Sequence, residues 1–201
     1  AIAGYGQRLD IRRSKILNNR APFGGGLDVA GQVYLEDLEI AGNVATDAGG
    51  GVRIPLGGGQ RTVVITNTHI TTNTASQGGG ILLWAGSLDV YDTLIKGNRA
   101  VSGNGGGIFA SYFESHGSPD LTLLNTLVVS NTSSDRAGGL WLDRSPATLV
   151  NTTIAENHAA NQCGGVWASP FPTQTVGITN TILWGNGLFV LAFISAKLIT
   201  F

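Results

Sequence analysis

The stretch Asn73-Thr-Ala-Ser-Gln-Gly-Gly-Gly-Ile-Leu82 decides the fold, because its frame recurs along almost the whole chain. It appears as Asn19-Arg-Ala…Gly24-Gly-Gly-Leu27, Asn43-Val-Ala…Gly49-Gly-Gly-Val52 and Asn98-Arg-Ala…Gly105-Gly-Gly-Ile108. It then loosens to Asn131-Thr-Ser…Gly138-Gly-Leu140 and Asn157-His-Ala…Gly164-Gly-Val166, and a last start at Asn186-Gly187 is not completed. Each anchor asparagine follows an apolar residue three positions earlier: Ile16, Ile40, Ile70, Ile95, Val128, Ile154 and Leu183. A repeat of this kind means that each unit is one supersecondary element, which buries its apolar face only against its neighbours.

The anchors at 19, 43, 73, 98, 131, 157 and 186 are 24 to 33 residues apart. Units this short leave room for two or three short strands and no useful helix. Alternation inside a unit has period two, as in Val63-Val-Ile65, Leu88-Asp-Val90, Leu121-Thr-Leu123 and Val176-Gly-Ile178, which reads as half-buried strand. The expectation is a right-handed parallel β-helix of about seven coils over residues 1–187, the hand following from the crossover preference of parallel strands.

A register chosen on apolar positions alone can be checked by what it stacks. Equivalent residues on successive coils become cross-strand neighbours about 4.8 Å apart. A spacing of 24 sets Arg12 on Glu36, Arg13 on Asp37 and Lys15 on Glu39, and matching Leu27 to Val52 sets Asp28 on Arg53. All four pairs are of opposite sign. A second polar column reads Asp37, Asn67, Asp92, Asn125, Asn151 and Asn180, whose amides can bond from coil to coil. The anchor asparagines make another, and turn backbone is what they are expected to satisfy. Glycine triplets permit positive φ and close approach of coils, and no helix or Gly-Lys-Ser/Thr follows them, so the phosphate-loop reading fails.

Composition narrows the function classes. Thirty glycines and only 12 % charged residues, with 42 % apolar content, fit tightly wound short strands and not disorder. A formal charge of −1 gives no electrostatic case for nucleic acid or an anionic membrane. Cys163 excludes an internal disulfide and stands at the first place of a degenerate triplet, where a small residue fits a packed turn. The chain starts at Ala1 without a leader and part-way into a repeat, which reads as a mature or excised segment.

Two segments lengthen their coils: Pro55-Leu-Gly-Gly-Gly-Gln-Arg61, and Ser111–Asp120, with Tyr112, Phe113, Glu114 and His116. The second has one histidine and no ligand spacing, so it reads as a solvated loop and not a metal site. Residues 188–201 lack both glycine triplet and anchor. Their apolar run is too short to span a bilayer of about 30 Å, and is expected either to cap the open end or to add an irregular strand pair.

Phrases such as Asn151-Thr-Thr-Ile-Ala-Glu-Asn157 and Asn180-Thr-Ile-Leu-Trp-Gly-Asn186 resemble bacterial secreted β-helix repeat proteins of the pectate-lyase-like superfamily. The pairing of Gly-Gly-Gly-apolar with apolar-x-x-Asn is similar to the repeats of polymorphic outer-membrane proteins. The resemblance covers residues 9–187. It implies an exported, surface-attached or shed protein, and so an extracellular or cell-surface location. It carries over no catalytic residue, because no active-site motif of the lyase members is matched.

Three functions stay in view. A polysaccharide lyase or hydrolase needs clustered carboxylates with a base. Here the early acids have stacked cationic partners, Asp135-Arg136 and Asp143-Arg144 are adjacent doublets, and Asp89 with Asp92 lacks a nearby base. A binder is suggested by the residue two places after the last glycine, which should point outward. That column reads Asp28, Arg53, Leu82, Phe109, Trp141, Trp167, with Trp84 close by. If bare, Phe109, Trp141, Trp167 and Trp84 form an aromatic contact stripe for a polysaccharide or another protein subunit; if a flanking segment covers them, they are architecture. The third reading is a pure scaffold. The expectation is a non-catalytic surface protein, binding or structural, with no cofactor, no metal, no nucleic-acid partner and no membrane span.

Overall fold

The computed structural model describes residues 1–57, 61–114, 117–169, 174–187, 191–193 and 197–200. Among these the chain is all strand and turn, wound as a parallel β-helix of about seven coils. Each complete coil carries four strands where the unit length suggested two or three. In the coil around Asn73 a broad strand Thr62–Thr66 leads to an approach strand His69–Thr71. After the asparagine come a short strand Thr74–Ala75 and, beyond the glycines, an exit strand Ile81–Leu83. The next broad strand, Ser87–Tyr91, begins the next coil.

Equivalent strands stack in parallel. Seven approach strands, from Lys15–Leu17 to Ile182–Trp184, form one sheet, and six short strands from Arg20–Phe23 to His158–Ala159 form another. Exit and broad strands share a third sheet, because Leu27–Glu36 runs unbroken round the corner between them. The repeat also starts earlier than residue 9: Ile2–Arg12 pairs with Leu27–Glu36, with a register shift between Tyr5 and Arg8. At the other end Leu191–Phe193 lies on Val166–Ser169, and Lys197–Thr200 lies on Thr175–Thr179, as further parallel strands. The remaining tail residues, 188–190, 194–196 and 201, lie outside the described residues, as do 58–60 and 115–116 of the two insertions.

The lumen is filled by inward side chains of three walls, among them Ile40, Ile70, Ile95, Val128 and Ile154 from the approach strands, all fully buried. Beside them runs the anchor ladder. The backbone N–H and the Nδ2 of each asparagine both donate to Oδ1 of the next. The links Asn19–Asn43, Asn43–Asn73, Asn73–Asn98, Asn98–Asn131 and Asn131–Asn157 measure 3.0 Å between amides, and Asn157–Asn186 measures 2.9 Å. The Nδ2 also donates to the carbonyl of the apolar residue one coil back, as Asn98 does to Ile70 at 2.8 Å. From Asn43 to Asn157 each amide therefore has both donors and its acceptor used. That is how a wholly polar side chain stays buried in an apolar core.

The charge register holds with one correction. Arg12–Glu36 is 3.3 Å, Lys15–Glu39 is 2.8 Å and Asp28–Arg53 is 2.9 Å. Arg13 and Asp37 do stand at one corner, but no ion pair joins them among the described residues, and Asp37 instead accepts from Asn67 Nδ2 at 2.6 Å. The polar corner column continues as Asn125 to Asp92, Asn151 to Asn125 and Asn180 to Asn151. It breaks between Asn67 and Asp92, because this ladder needs the later residue to donate and a carboxylate has nothing to donate.

Candidate functional site

The outward column lies in the predicted register. Asp28, Arg53, Leu82, Phe109, Trp141 and Trp167 are successive partners along the exit strands. Trp141 and Trp167 stack face to face at 3.7 Å with planes 4° apart, and Phe109 continues the pile at 6.2 Å and 9°. The stripe is not bare, however. Phe109, Trp141 and Trp167 are exposed by only 6, 8 and 6 % and belong to a second apolar cluster with Ala48, Leu82, Ala137 and Cys163. As a flat open platform the triplet Phe109, Trp141 and Trp167 is therefore corrected: these rings are packed.

The glycine triplet explains the packing. Its first residue has positive φ in every coil, from Gly24 at 53° to Gly49 at 69°. This turn brings the triplet's first residue against the outward side chain four positions later. A β-carbon at Gly78 would stand 2.8 Å from that of Leu82, and one at Gly105 would stand 2.8 Å from that of Phe109. Where the first glycine is replaced, by Ala137 and Cys163, the residue four on is tryptophan, and the small side chain becomes part of the cluster around the rings. Both keep the left-handed conformation, at φ 54° and 53°, which costs an L-residue about 1–2 kcal/mol. Cys163 is buried, as a small residue in a packed turn, and its Sγ lies 2.7 Å from the Val166 carbonyl.

Trp84 is different. It is half-buried and sits at the end of the column that carries the Asp28–Arg53 pair. The Arg53 guanidinium lies 4.3 Å from the Phe23 ring centroid and 5.2 Å from that of Trp84. Phe113, from the second insertion, meets Trp84 edge-on at 5.6 Å. Tyr5 donates its hydroxyl to Asp28. Tyr5 is largely exposed, and partial desolvation of its hydroxyl, with that bond to the carboxylate second, holds the phenol above its ordinary range. Three rings, Tyr5, Phe23 and Trp84, thus meet one ion pair, and Phe113 packs behind Trp84. Of these, the sequence singles out Trp84 beside the outward column and Phe113 in the second insertion, and it does not place them together. Phe23 and Phe113 lie one residue before a triplet and inside an insertion, and only the winding of the coil brings them to the column.

The other expected residues are dispersed. Asp135–Arg136 and Asp143–Arg144 are loose intraloop pairs at 3.8 and 3.6 Å. The insertion's Ser111 donates to Asp143 at 3.2 Å, and Tyr112 packs under Arg144; His116 lies outside the described residues. The register sets Asp120 beside Ser87, one coil from Asp89, and partial desolvation first and Asp89 second push the carboxyl of this exposed residue above the usual aspartate range. Among the described residues no three His, Cys, Asp or Glu side chains converge to hold a metal, and no helix is long and apolar enough to cross a membrane. Open clefts of about 550 and 400 Å³ lie at the polar corner, around Asp37 and Asn67 and around Asn151 and Asn180, away from the aromatic column.

No curated protein and no solved structure matches the chain. Residues 92–111 match the Chlamydia polymorphic membrane protein repeat. The matched segment runs from the corner Asp92 through the anchor Asn98 and the triplet at 105–107 to the exit strand, most of one turn. The β-helix and this match agree on a repeat of polymorphic-membrane-protein type.

Proposed function

We propose that the chain is a non-catalytic scaffold segment of a bacterial surface protein, which contacts a polysaccharide or another protein subunit at the Trp84 end of its outer aromatic column. The observation that carries the scaffold half is the asparagine ladder, continuous from Asn19 to Asn186. A polar column bonded through every coil ties each turn to the next although the turns differ in length, and the stack of Phe109, Trp141 and Trp167 packs against them on the outside. The repeat match supports a surface or outer-membrane setting. The contact half rests on Trp84, since the three stacked rings are internally committed.

Two measurements test the reading. Protease treatment of intact bacteria making the protein should cleave it, whereas complete protection until the cells are lysed would overturn the surface assignment. The purified chain incubated with polygalacturonate or a β-glucan should release no unsaturated or reducing ends. Release above that of a heat-denatured control would overturn the non-catalytic assignment in favour of a lyase or hydrolase.

A further inference from the structure

The outer face of the approach-strand sheet changes character along the axis. On its first three strands the first outward position carries Lys15, Glu39 and His69. On the last four, Leu94–Lys96, Leu127–Val129, Thr153–Ala155 and Ile182–Trp184, that column continues as Leu94, Leu127, Thr153 and Ile182. The other outward column of these four strands reads Lys96, Val129, Ala155 and Trp184. Leu127, Ile182 and Trp184 are exposed by 45, 60 and 64 %. The described tail strands lie on the exit and broad strands, away from this face. A coil added after Trp184 would stack beside it in the sheet and leave the face open. Contiguous exposed apolar surface of this kind marks a contact with another macromolecule.

The charges on the apolar half select the occupant. Lys96 stands on its first strand and has no ion-pair partner among the described residues. Glu156, which follows Ala155, accepts only from Ser130, at 3.2 Å. Two coils separate Lys96 from Glu156, about 10 Å, so they do not pair within one chain. A face with a cation towards one end and an anion towards the other is complementary to itself when turned end for end. A two-fold axis parallel to the strands, passing between Leu127 and Thr153, makes that turn. It sets Leu94 on Ile182 of a second copy, Leu127 on Thr153, Val129 on Ala155 and Lys96 on Trp184. Lys96 then lies over an indole, one coil and one residue from Glu156 of the second copy. An axis along the coil stack would instead press Lys96 onto Leu94 and bury an unpaired charge.

We propose that Leu94, Leu127, Val129, Ile182 and Trp184 form a self-association face, on which a second copy of this chain docks with its coil axis antiparallel. The two sheets pack about 10 Å apart, as aligned sheets do. Four strands about 4.8 Å apart, three residues long, offer only a few hundred Å² on each copy. That is below the roughly 800 Å² per partner of a stable complex, so the association is weak and concentration-dependent. The face is on a different sheet from the exit strands, and the inference is independent of any contact at Trp84.

Sedimentation velocity of the purified chain from about 10 μM to about 1 mM tests this. A monomer–dimer equilibrium is expected, and Leu127→Ser should weaken it by about tenfold or more. Lys96→Glu and Glu156→Lys, both at exposed positions, should each weaken it about tenfold through like charges. Mixing these two variants should restore dimers, because each supplies the charge that the other lacks. Leu17→Ser, on the first strand of the same sheet, should change nothing. Circular dichroism checks that each variant folds, and the charge variants decide the matter should Leu127→Ser not fold. A chain that stays monomeric to about 1 mM overturns the face. So does association undiminished by folded Leu127→Ser, or a mixture that associates no better than either charge variant alone.

Discussion

At the scale of the residue, the anchor asparagine is the most constrained side chain in the molecule. Asn98 accepts from the N–H and Nδ2 of Asn73, both at 3.0 Å, and donates to the Ile70 carbonyl and to Asn131 Oδ1. Asn98→Ala leaves several buried groups unmet at about 1–3 kcal/mol each, so a loss of about 4 kcal/mol or more is expected from the urea midpoint and slope. A loss under about 1 kcal/mol would contradict the ladder. Asp120 makes a prediction of the opposite sign. Asp120 is exposed at the start of its strand, but partial desolvation of its carboxyl, with Asp89 second, makes it hold a proton more tightly when folded. Such a group favours folding below its unfolded pKa, and that contribution is lost as pH rises through the folded value. Asp120→Asn should therefore raise Tm at pH 7 and leave it nearly unchanged at about pH 3, where the wild-type carboxyl is protonated in both states. Thermal melts at the two pH values check it.

At the scale of the element, strands are held in register by side chains stacked one coil apart. Arg12 and Glu36 face each other across Ile2–Arg12 and Leu27–Glu36, at 3.3 Å but half in water. An exposed pair of this kind contributes roughly 0–1 kcal/mol, screened by salt. Glu36→Lys should destabilise by about that amount, and adding Arg12→Glu should restore much of it at low salt. Denaturant titration of the double-mutant cycle would show no rescue if the register were otherwise. The exit strands are a stronger case, because both of their faces are covered. Trp167→Ala removes a ring from the stack and from the outer cluster, for which about 3–5 kcal/mol is expected. Its near-ultraviolet circular dichroism should also lose the coupled signal of two indoles 3.7 Å apart.

At the scale of the whole molecule, each coil is stabilised only by its neighbours, so stability should grade along the axis. Among the described residues most of the exposed large apolar side chains lie at the ends: Ile2, Tyr5, Leu17 and Phe23 on the first coil, and Ile182 and Trp184 on the last approach strand, against Val101, Phe113 and Leu127 in between. Hydrogen exchange followed by mass spectrometry should be slowest at Ile70, Ile95 and Val128 and fastest in the approach strands Lys15–Leu17 and Ile182–Trp184. Uniform protection over all the coils would mean that the body opens only as a whole.

The sequence by itself determined the winding. Anchor, triplet and apolar positions fixed the number of coils and the stacking register, and with it the ladder, three of four ion pairs and the order of the outward column. Those are consequences of a translational repeat, since residues one period apart must become neighbours. What the tertiary structure alone decided is which outward residues meet water. Period-two reasoning says that Phe109, Trp141 and Trp167 leave the lumen, and they do, but it says nothing of what lies beyond the wall. A signal was present in the runs Ile81-Leu-Leu83 and Leu140-Trp-Leu142, apolar on both faces as in strands covered from both sides. The placing of Phe23 over Arg53, of Tyr5 on Asp28 and of Phe113 against Trp84 had no such signal, because it depends on a turn and an insertion folding back across coils, and a repeat period does not encode that path.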